Sequence, residues 1–151
     1  MLRPAQPQDM PTLMGLAKQE FDECIAGHGF SWNEDWIKLS LLEHASQRGQ
    51  VLLVSTIDSI VVGFVAGLVI PWIHDRSQKV AIETGWYVAP AYRGTTIGIR
   101  LWRAWEKWAS LSDADIIYCA HPTHKPEVGK ILDKMGYKPL ETYYTKEINN
   151  V

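Results

Sequence analysis

The sequence predicts one mixed α/β domain over residues 1–151, in which a mostly antiparallel sheet carries one parallel strand pair. Three features lead there. Two apolar runs, Val51 to Thr56 and Ile60 to Ile70, flank Asp58-Ser59, which is turn chemistry suited to a hairpin. A strand, a Gly-containing loop, a helix and another strand then follow between Val80 and Cys119, a passage that calls for a right-handed crossover between parallel neighbours. Finally, 151 residues at 46% hydrophobic and 21% charged can bury a full core, and no repeat, low-complexity tract or Gly/Ser-rich linker offers a second-domain boundary.

Taken in order, Leu2 to Ala5 reads as a short strand, and Asp9 as the cap of a helix whose stripe is Met10, Leu13, Met14, Leu16 and Ala17. Gly27, His28 and Gly29 break that pattern, and Ser31 or Asn33 starts a second helix through Trp36, Leu39, Leu42 and His44. The run IVVGFVAGLVI is apolar on both faces and belongs in the middle of the sheet, with Gly63 and Gly67 marking a bulge or a tight neighbour. Pro71 to Lys79 is an exposed loop, Val80 to Val88 the fourth strand, Gly98 to Leu111 a helix, and Asp115 to Cys119 the fifth strand. A helix from Pro126 to Met135 is stopped by Gly136, and a final strand pair lies around Tyr137 and Thr142 to Ile148. Trp102, Trp105 and Trp108 recur every three residues on the third helix; core packing is the first reading of that face, self-association as a homodimer the second.

The formal net charge of −2, with scattered basic residues, argues against a nucleic-acid binder. Cys24 and Cys119 are far apart and lack metal-ligand spacing, so neither a disulfide framework nor a metal site is expected; His121 and His124, split by Pro122, read as loop residues. The N-terminus has no apolar leader, and no run approaches the length of a membrane span, so a cytoplasmic protein without membrane contact is expected.

The most informative stretch is VAIETGWYVAPAYRGTTIGIRL, Val80 to Leu101. Arg93, Gly94, Thr95, Thr96 and Gly98 follow one another where a strand turns into a helix. Backbone N–H groups converging at a helix N-terminus, with its dipole, make an anion site, and Arg93 adds a bidentate donor. An ordinary turn with a Thr cap is the plainer reading of the same residues.

This segment resembles the acyl-CoA site of the GNAT superfamily of N-acetyltransferases, whose pattern is Gln/Arg-x-x-Gly-x-Gly/Ala after an apolar strand ending in Val-x-Pro. Here Tyr87-Val88-Ala89-Pro90 supplies the strand end, Arg93, Ile97 and Gly98 fall in register, and Thr96 stands where the family usually has its first Gly. The element order and the junction Met135-Gly136-Tyr137-Lys138-Pro139 are similar as well. The resemblance implies the GNAT α+β fold: a sheet of six to seven strands, about four helices, and a splayed central parallel pair whose gap takes the pantetheine arm of acetyl-CoA. It further implies that Tyr87, Val88, Arg93, Gly94, Thr95, Thr96, Ile97, Gly98 and Lys125 contact that co-substrate, with the Val88 N–H as oxyanion donor.

Acetyl transfer to a primary amine needs a neutral nucleophile, and an amine of pKa about 10.4 is neutral in only about one molecule per few thousand at pH 7. Glu83, five residues before Val88 on the same strand, is the candidate base; its alternation parity is opposite to that of Val88 in a regular strand, so it needs a bulge or splay. Leu132 stands where many family members have the Tyr that protonates the leaving thiolate. Tyr143 is the candidate acid in its place, beside Tyr118, His121 and Tyr144. Trp32, Trp36, Phe30 and Trp72, with Glu20, Asp22, Glu23, Glu34 and Asp35, would form an aromatic, acidic wall suited to a cationic small-molecule or peptide amine. Two alternatives stand beside this one: a catalytically weak module of the same fold that binds acyl-CoA or a partner, motivated by Thr96 and Leu132, and a nucleotide binder, weakened by the absence of a Gly-Lys-Ser/Thr triplet.

Overall fold

The computed structural model describes residues 1–148. Five strands run in spatial order as in sequence: β1 (Leu2–Pro4), β2 (Gln50–Ile57), β3 (Ile60–Pro71), β4 (Lys79–Val88) and β5 (Ile116–Tyr118). The first three pairings are antiparallel, and β4 with β5 is the parallel pair that the crossover required. The hairpin turn carries positive φ at both Asp58 (48°) and Ser59 (66°), the backbone that matches a two-residue connection to the twist of its strands.

Four helices cover the two faces. α1 (Met10–Cys24) and α2 (Glu34–Ser46) lie on one; α3 (Ile97–Leu111) packs on the other, where α4 (Pro126–Lys134) joins the same core. Asn33 is the N-cap of α2, its side chain accepting the Trp36 N–H at 3.0 Å. The apolar stripe of α1 meets Leu52, Val54, Phe64 and Ala66, and the apolar face of α3 meets Val51, Leu53, Val65 and Ala81. Thus β3 feeds both cores, as a run that is apolar on both faces must.

Both glycines of β3 sit under neighbours that come close. A Cβ on Gly63 would lie 2.9 Å from the Tyr87 carbonyl oxygen, and one on Gly67 would lie 2.3 Å from Nε1 of Trp105 and 2.8 Å from the Ile82 carbonyl. Trp102 and Trp105 are fully buried, so the core reading of the tryptophan face holds for them. The cost of seating Trp105 so deeply is a buried indole N–H without a partner among the described residues.

Two expectations need correction. The sheet has five strands among the described residues, not six to seven, because residues 137–148 form no strand pair. Pro139 has no N–H to give a ladder and β5 offers an edge only three residues long, which leaves Tyr144 and Ile148 92% and 84% exposed. Phe30 and Trp36, assigned to an aromatic wall, are instead turned outward, at 59% and 65% exposed.

Candidate functional site

The site is built where β4 leaves β5. Their ladder runs from Val80 opposite Ile116 to Ile82 opposite Tyr118, after which the two strands separate. At that point β4 also carries a bulge: Gly67 of β3 faces Glu83 while Ala66 faces Gly85, which leaves Thr84 as the extra residue. A bulge between Glu83 and Val88 resets their alternation parity, the condition that Glu83 required.

Beyond the bulge, one edge of β4 is paired and the other is open. The Ala89 N–H donates to Val62 on the β3 side. By the two-residue period of an antiparallel ladder, the Trp86 and Val88 N–H groups then point to the open edge. The Trp86 N–H is met there by Oε1 of Glu20 at 3.0 Å, a carboxylate reaching up from α1. Glu20 and Glu83 thus approach the same stretch of strand. Burial pushes Glu83 up to about 8, Glu20 beside it adds to the shift, and a backbone contact with Ala120 opposes it. Burial likewise pushes Glu20 up to about 7, against the pull of the Trp86 N–H. Two carboxyls crowded together resist being ionised at the same time. Cys119 lies near them; burial, then Glu83, pushes its thiol up to about 12, which keeps it protonated and poorly nucleophilic near neutral pH.

One turn further along α1, Glu23 meets a different environment. Its carboxylate accepts both Nη2 contacts of Arg93, at 3.0 and 2.9 Å, and the Lys125 ammonium at 2.7 Å. The Tyr87 hydroxyl also donates to it, and Nε2 of His124 donates to the Glu23 backbone carbonyl at 2.8 Å. Burial alone would raise Glu23, but Lys125, Tyr87 and Arg93 hold it down to about 2. Arg93 also donates from Nε to the Val88 carbonyl at 2.9 Å and covers the Tyr87 ring at 5.0 Å. Its guanidinium therefore ties the loop to the end of β4 and to α1.

The loop itself opens at the N-terminus of α3. Gly94 takes a φ of +77° with nothing within 4 Å of where a Cβ would stand, so its backbone lies bare to an approaching group. The Thr95 hydroxyl donates to the Tyr92 carbonyl at 2.7 Å and accepts the Ile97 N–H at 3.3 Å. Thr96 is the N-cap position of α3, but its side chain makes no cap bond and is exposed. Gly98 lies under Trp86, whose indole N–H donates to its carbonyl at 3.2 Å. Bare backbone at Gly94, the first-turn N–H groups beyond Ile97 and the nearby cations fit a diphosphate.

The structure brings Glu83, Val88, Tyr87, Arg93 to Gly98 and Lys125 to one end of the sheet, around the open edge of β4. Tyr143 is 62% exposed, and its hydroxyl donates at 3.1 Å to Glu141, which also accepts from the hydroxyl of Tyr118 at the end of β5. Leu132 is buried in the core against α3, so that position carries packing and no proton donor. Glu20 and Glu23 were legible only as members of an acidic wall. The missed signal is periodicity, since Leu13, Leu16, Ala17, Glu20 and Glu23 continue one helical stripe, and carboxylates on a buried stripe are informative.

A cavity of about 140 Å³ adjoins Glu20 between α1, α2 and the sheet; a larger one of about 450 Å³, between the end of α3, β5 and residues 135–138, holds none of the candidate residues. Among the described residues, no group of three or more His, Cys, Asp or Glu side chains is placed to hold a metal ion, and no helix is long and apolar enough to cross a membrane.

Residues 13–136 match the model of the acetyltransferase (GNAT) family. No curated protein matches the sequence significantly. Among solved structures, a putative acetyltransferase from Agrobacterium tumefaciens superposes with a TM-score of 0.76 at 18% identity, over 98% of this chain and 99% of that one. The aminoglycoside acetyltransferase AAC(6')-Iy, solved with a CoA-linked acetylneamine bisubstrate analogue, gives 0.78 at 16% identity over 99% and 98% of the two chains. A ribosomal-protein-alanine N-acetyltransferase from Brucella melitensis gives 0.73 at 14% identity over 98% and 99%.

Proposed function

Because the chain belongs to the acetyltransferase (GNAT) family, whose co-substrate is acetyl-CoA, we propose that it acetylates a primary amine by direct attack on the thioester at the open edge of β4. The observation that carries this reading is the coincidence of two things on one strand: outward-facing N–H groups at Trp86 and Val88, and the Glu83 carboxyl beside the bulge, which burial pushes up to about 8. The loop from Arg93 to Gly98 and Lys125 would hold the diphosphate, with the Val88 N–H donating to the carbonyl oxygen as negative charge develops on it, an interaction worth roughly 3 to 4 kcal/mol in other acyl-transfer sites.

In the proposed reaction Glu83 takes a proton from the ammonium form of the acceptor. The amine nitrogen then forms a bond to the carbonyl carbon, the carbon–sulfur bond breaks, and the surplus proton on the nitrogen passes to the departing thiolate, while Glu83 returns its proton to solvent. The products are the N-acetyl amine and CoA thiol. A covalent detour through an enzyme thiol is disfavoured by Cys119, whose raised pKa keeps it protonated. A base of pKa about 8 gives a rate that climbs with pH through neutrality and levels above about pH 8.

Leu132 favours a second reading, a slow enzyme or an acyl-CoA-binding module, since a buried aliphatic side chain has replaced the proton donor common in the family. Calorimetric titration with acetyl-CoA and, separately, with ATP tests the co-substrate. Micromolar binding of acetyl-CoA alone is expected, and binding of neither would sink both readings. Turnover then separates them, because only the enzyme loses rate on Glu83→Gln.

A further inference from the structure

The cavity between α1, α2 and the sheet has a size and a lining that speak to what it can hold. Its volume is about 140 Å³. An apolar cavity of about 150 Å³ holds one benzene, whereas pockets for drug-sized ligands run to roughly 300 Å³ and above. Phe21, Trp32, Ile37, Leu41 and Phe64 supply apolar walls, with Phe21 and Trp32 tilted against each other at 5.6 Å between ring centroids.

The polar groups on the wall are mostly spent on one another. Both ring nitrogens of His44 are engaged, Nδ1 with the Ser40 carbonyl at 2.8 Å and Nε2 with the Thr84 hydroxyl at 3.0 Å. A ligand rich in hydroxyls would bring donors and acceptors that find few partners there. Glu20 is different. One of its oxygens accepts the Trp86 N–H, and the other takes no hydrogen bond among the described residues. A ligand ammonium at Glu20 would therefore stand beside the open edge of β4, next to the strand that carries Glu83 and Val88. The Lys18 ammonium, 5.8 Å from the Phe21 ring and 5.7 Å from that of Trp32, is paired with Asp22, so it adds no net charge beside the aromatic pair.

We infer that this chamber selects a compact, largely apolar primary amine, about one aromatic ring or a short alkyl chain on an aminomethyl or aminoethyl arm, with Glu20 receiving its ammonium. The inference rests on the acetyl-transfer reading above and narrows its acceptor. Aminosugars would leave most of their hydroxyls unpaired against the apolar wall, and polyamines would set a second ammonium against a lining in which, among the described residues, Glu20 is the one carboxylate.

Acetyl-CoA-dependent release of CoA thiol, measured with 2-phenylethylamine, n-hexylamine, spermidine and neamine, tests the inference. The expected kcat/KM for 2-phenylethylamine exceeds those for spermidine and neamine at least tenfold. Glu20→Gln raises its KM about tenfold while acetyl-CoA affinity is kept, and Trp32→Ala, in which a half-buried residue outside any helix or strand is cut back, lowers its kcat/KM by a similar factor. Direct binding of 2-phenylethylamine, followed by saturation-transfer NMR on the unmodified chain, gives a readout that does not need turnover. Preferred acetylation of spermidine or neamine overturns the acceptor class and leaves acetyl transfer standing. Failure to bind acetyl-CoA removes the enzymatic reading, and 2-phenylethylamine binding weakened by Glu20→Gln would still support the chamber. Absence of both binding and acetylation of 2-phenylethylamine overturns it.

Discussion

Glu20 and Glu23 stand one turn apart on α1 and reach towards the same end of the sheet, yet their surroundings drive them in opposite directions. Glu20 enters an apolar recess with a single backbone N–H and another carboxyl for company, and is pushed up to about 7. Glu23 meets a guanidinium, an ammonium and a phenol, and is held down to about 2. The same side chain on the same helix is thus a proton carrier in one place and a fixed anion in the other. Burial leads at Glu20, which lies deep and has one opposing N–H, whereas at the shallower Glu23 the partners together outweigh it. The first arrangement suits chemistry, because a group that titrates near neutrality can exchange a proton at low cost. The second suits architecture, joining α1 to the loop after β4 and to the N-cap of α4.

Removing the titrating carboxyl should have the largest effect. Glu83→Gln is expected to lower kcat about 10²- to 10⁴-fold with acetyl-CoA affinity kept, because general-base assistance is typically worth that much. Steady-state rates beside a calorimetric titration check it, and a rate within threefold of the parent protein would remove Glu83 from the chemistry.

Stability against pH is the next way to separate the two carboxylates. A raised folded-state pKa means that the folded chain holds a proton the unfolded chain has released. Glu20 and Glu83 therefore cost stability as pH rises from about 4.5 to about 8. Glu20→Gln, which imitates the protonated form, should consequently stabilise the protein by about 1 to 3 kcal/mol at pH 9 and by nearly nothing at pH 4. Urea unfolding at the two pH values reads this directly. Glu23 behaves in the reverse sense: its contribution is fully present above about pH 4.5 and is lost as pH falls towards about 2.

The bulge that places Glu83 can also be broken from the far side of β3. A methyl group at Gly67 would meet both the Trp105 indole and the Ile82 carbonyl, so Gly67→Ala should cost about 1 to 3 kcal/mol and lower the rate without touching any polar group of the site. A thermal melt and a rate measurement on the same sample test this, and an unchanged rate would mean that the bulge does not position Glu83.

The smallest effect is expected at the fixed anion. Glu23→Gln should cost about 1 kcal/mol at pH 7, as partly exposed ion pairs do, and should strengthen inorganic diphosphate binding a few-fold by freeing Arg93 and Lys125. Weaker diphosphate binding in the variant would show that Glu23 orients those cations for the ligand and does not compete with it.

How much of this was legible beforehand follows from how local each signal is. The β2–β3 hairpin, the Asn33 cap, the crossover and the loop that opens α3 depend on neighbouring residues, and all of them stand in the chain as one-dimensional patterns. The need for a bulge at Glu83 was also legible, because parity along one strand is countable. The absent final hairpin was not: residues 142–148 have strand-forming side chains, but pairing needs an edge, and the length of β5 is set by where β4 and β5 part. Nor was the division between Glu20 and Glu23, which depends on Trp86, Arg93 and Lys125 arriving from 66 to 102 residues away. Pairings at that range leave little trace in the spacing along one helix.

The central claim is that the open edge of β4 is where an amine meets a thioester under a carboxyl of pKa about 8. Its most direct test is the pH profile of acetyl transfer to 2-phenylethylamine from pH 6 to 10, for the parent chain and for Glu83→Gln, with CoA thiol release as the readout. The account predicts a parent rate that rises to a plateau near pH 8 and a far lower variant rate that climbs on with pH, following only the acceptor's own deprotonation. Superimposable profiles for the two proteins would contradict it.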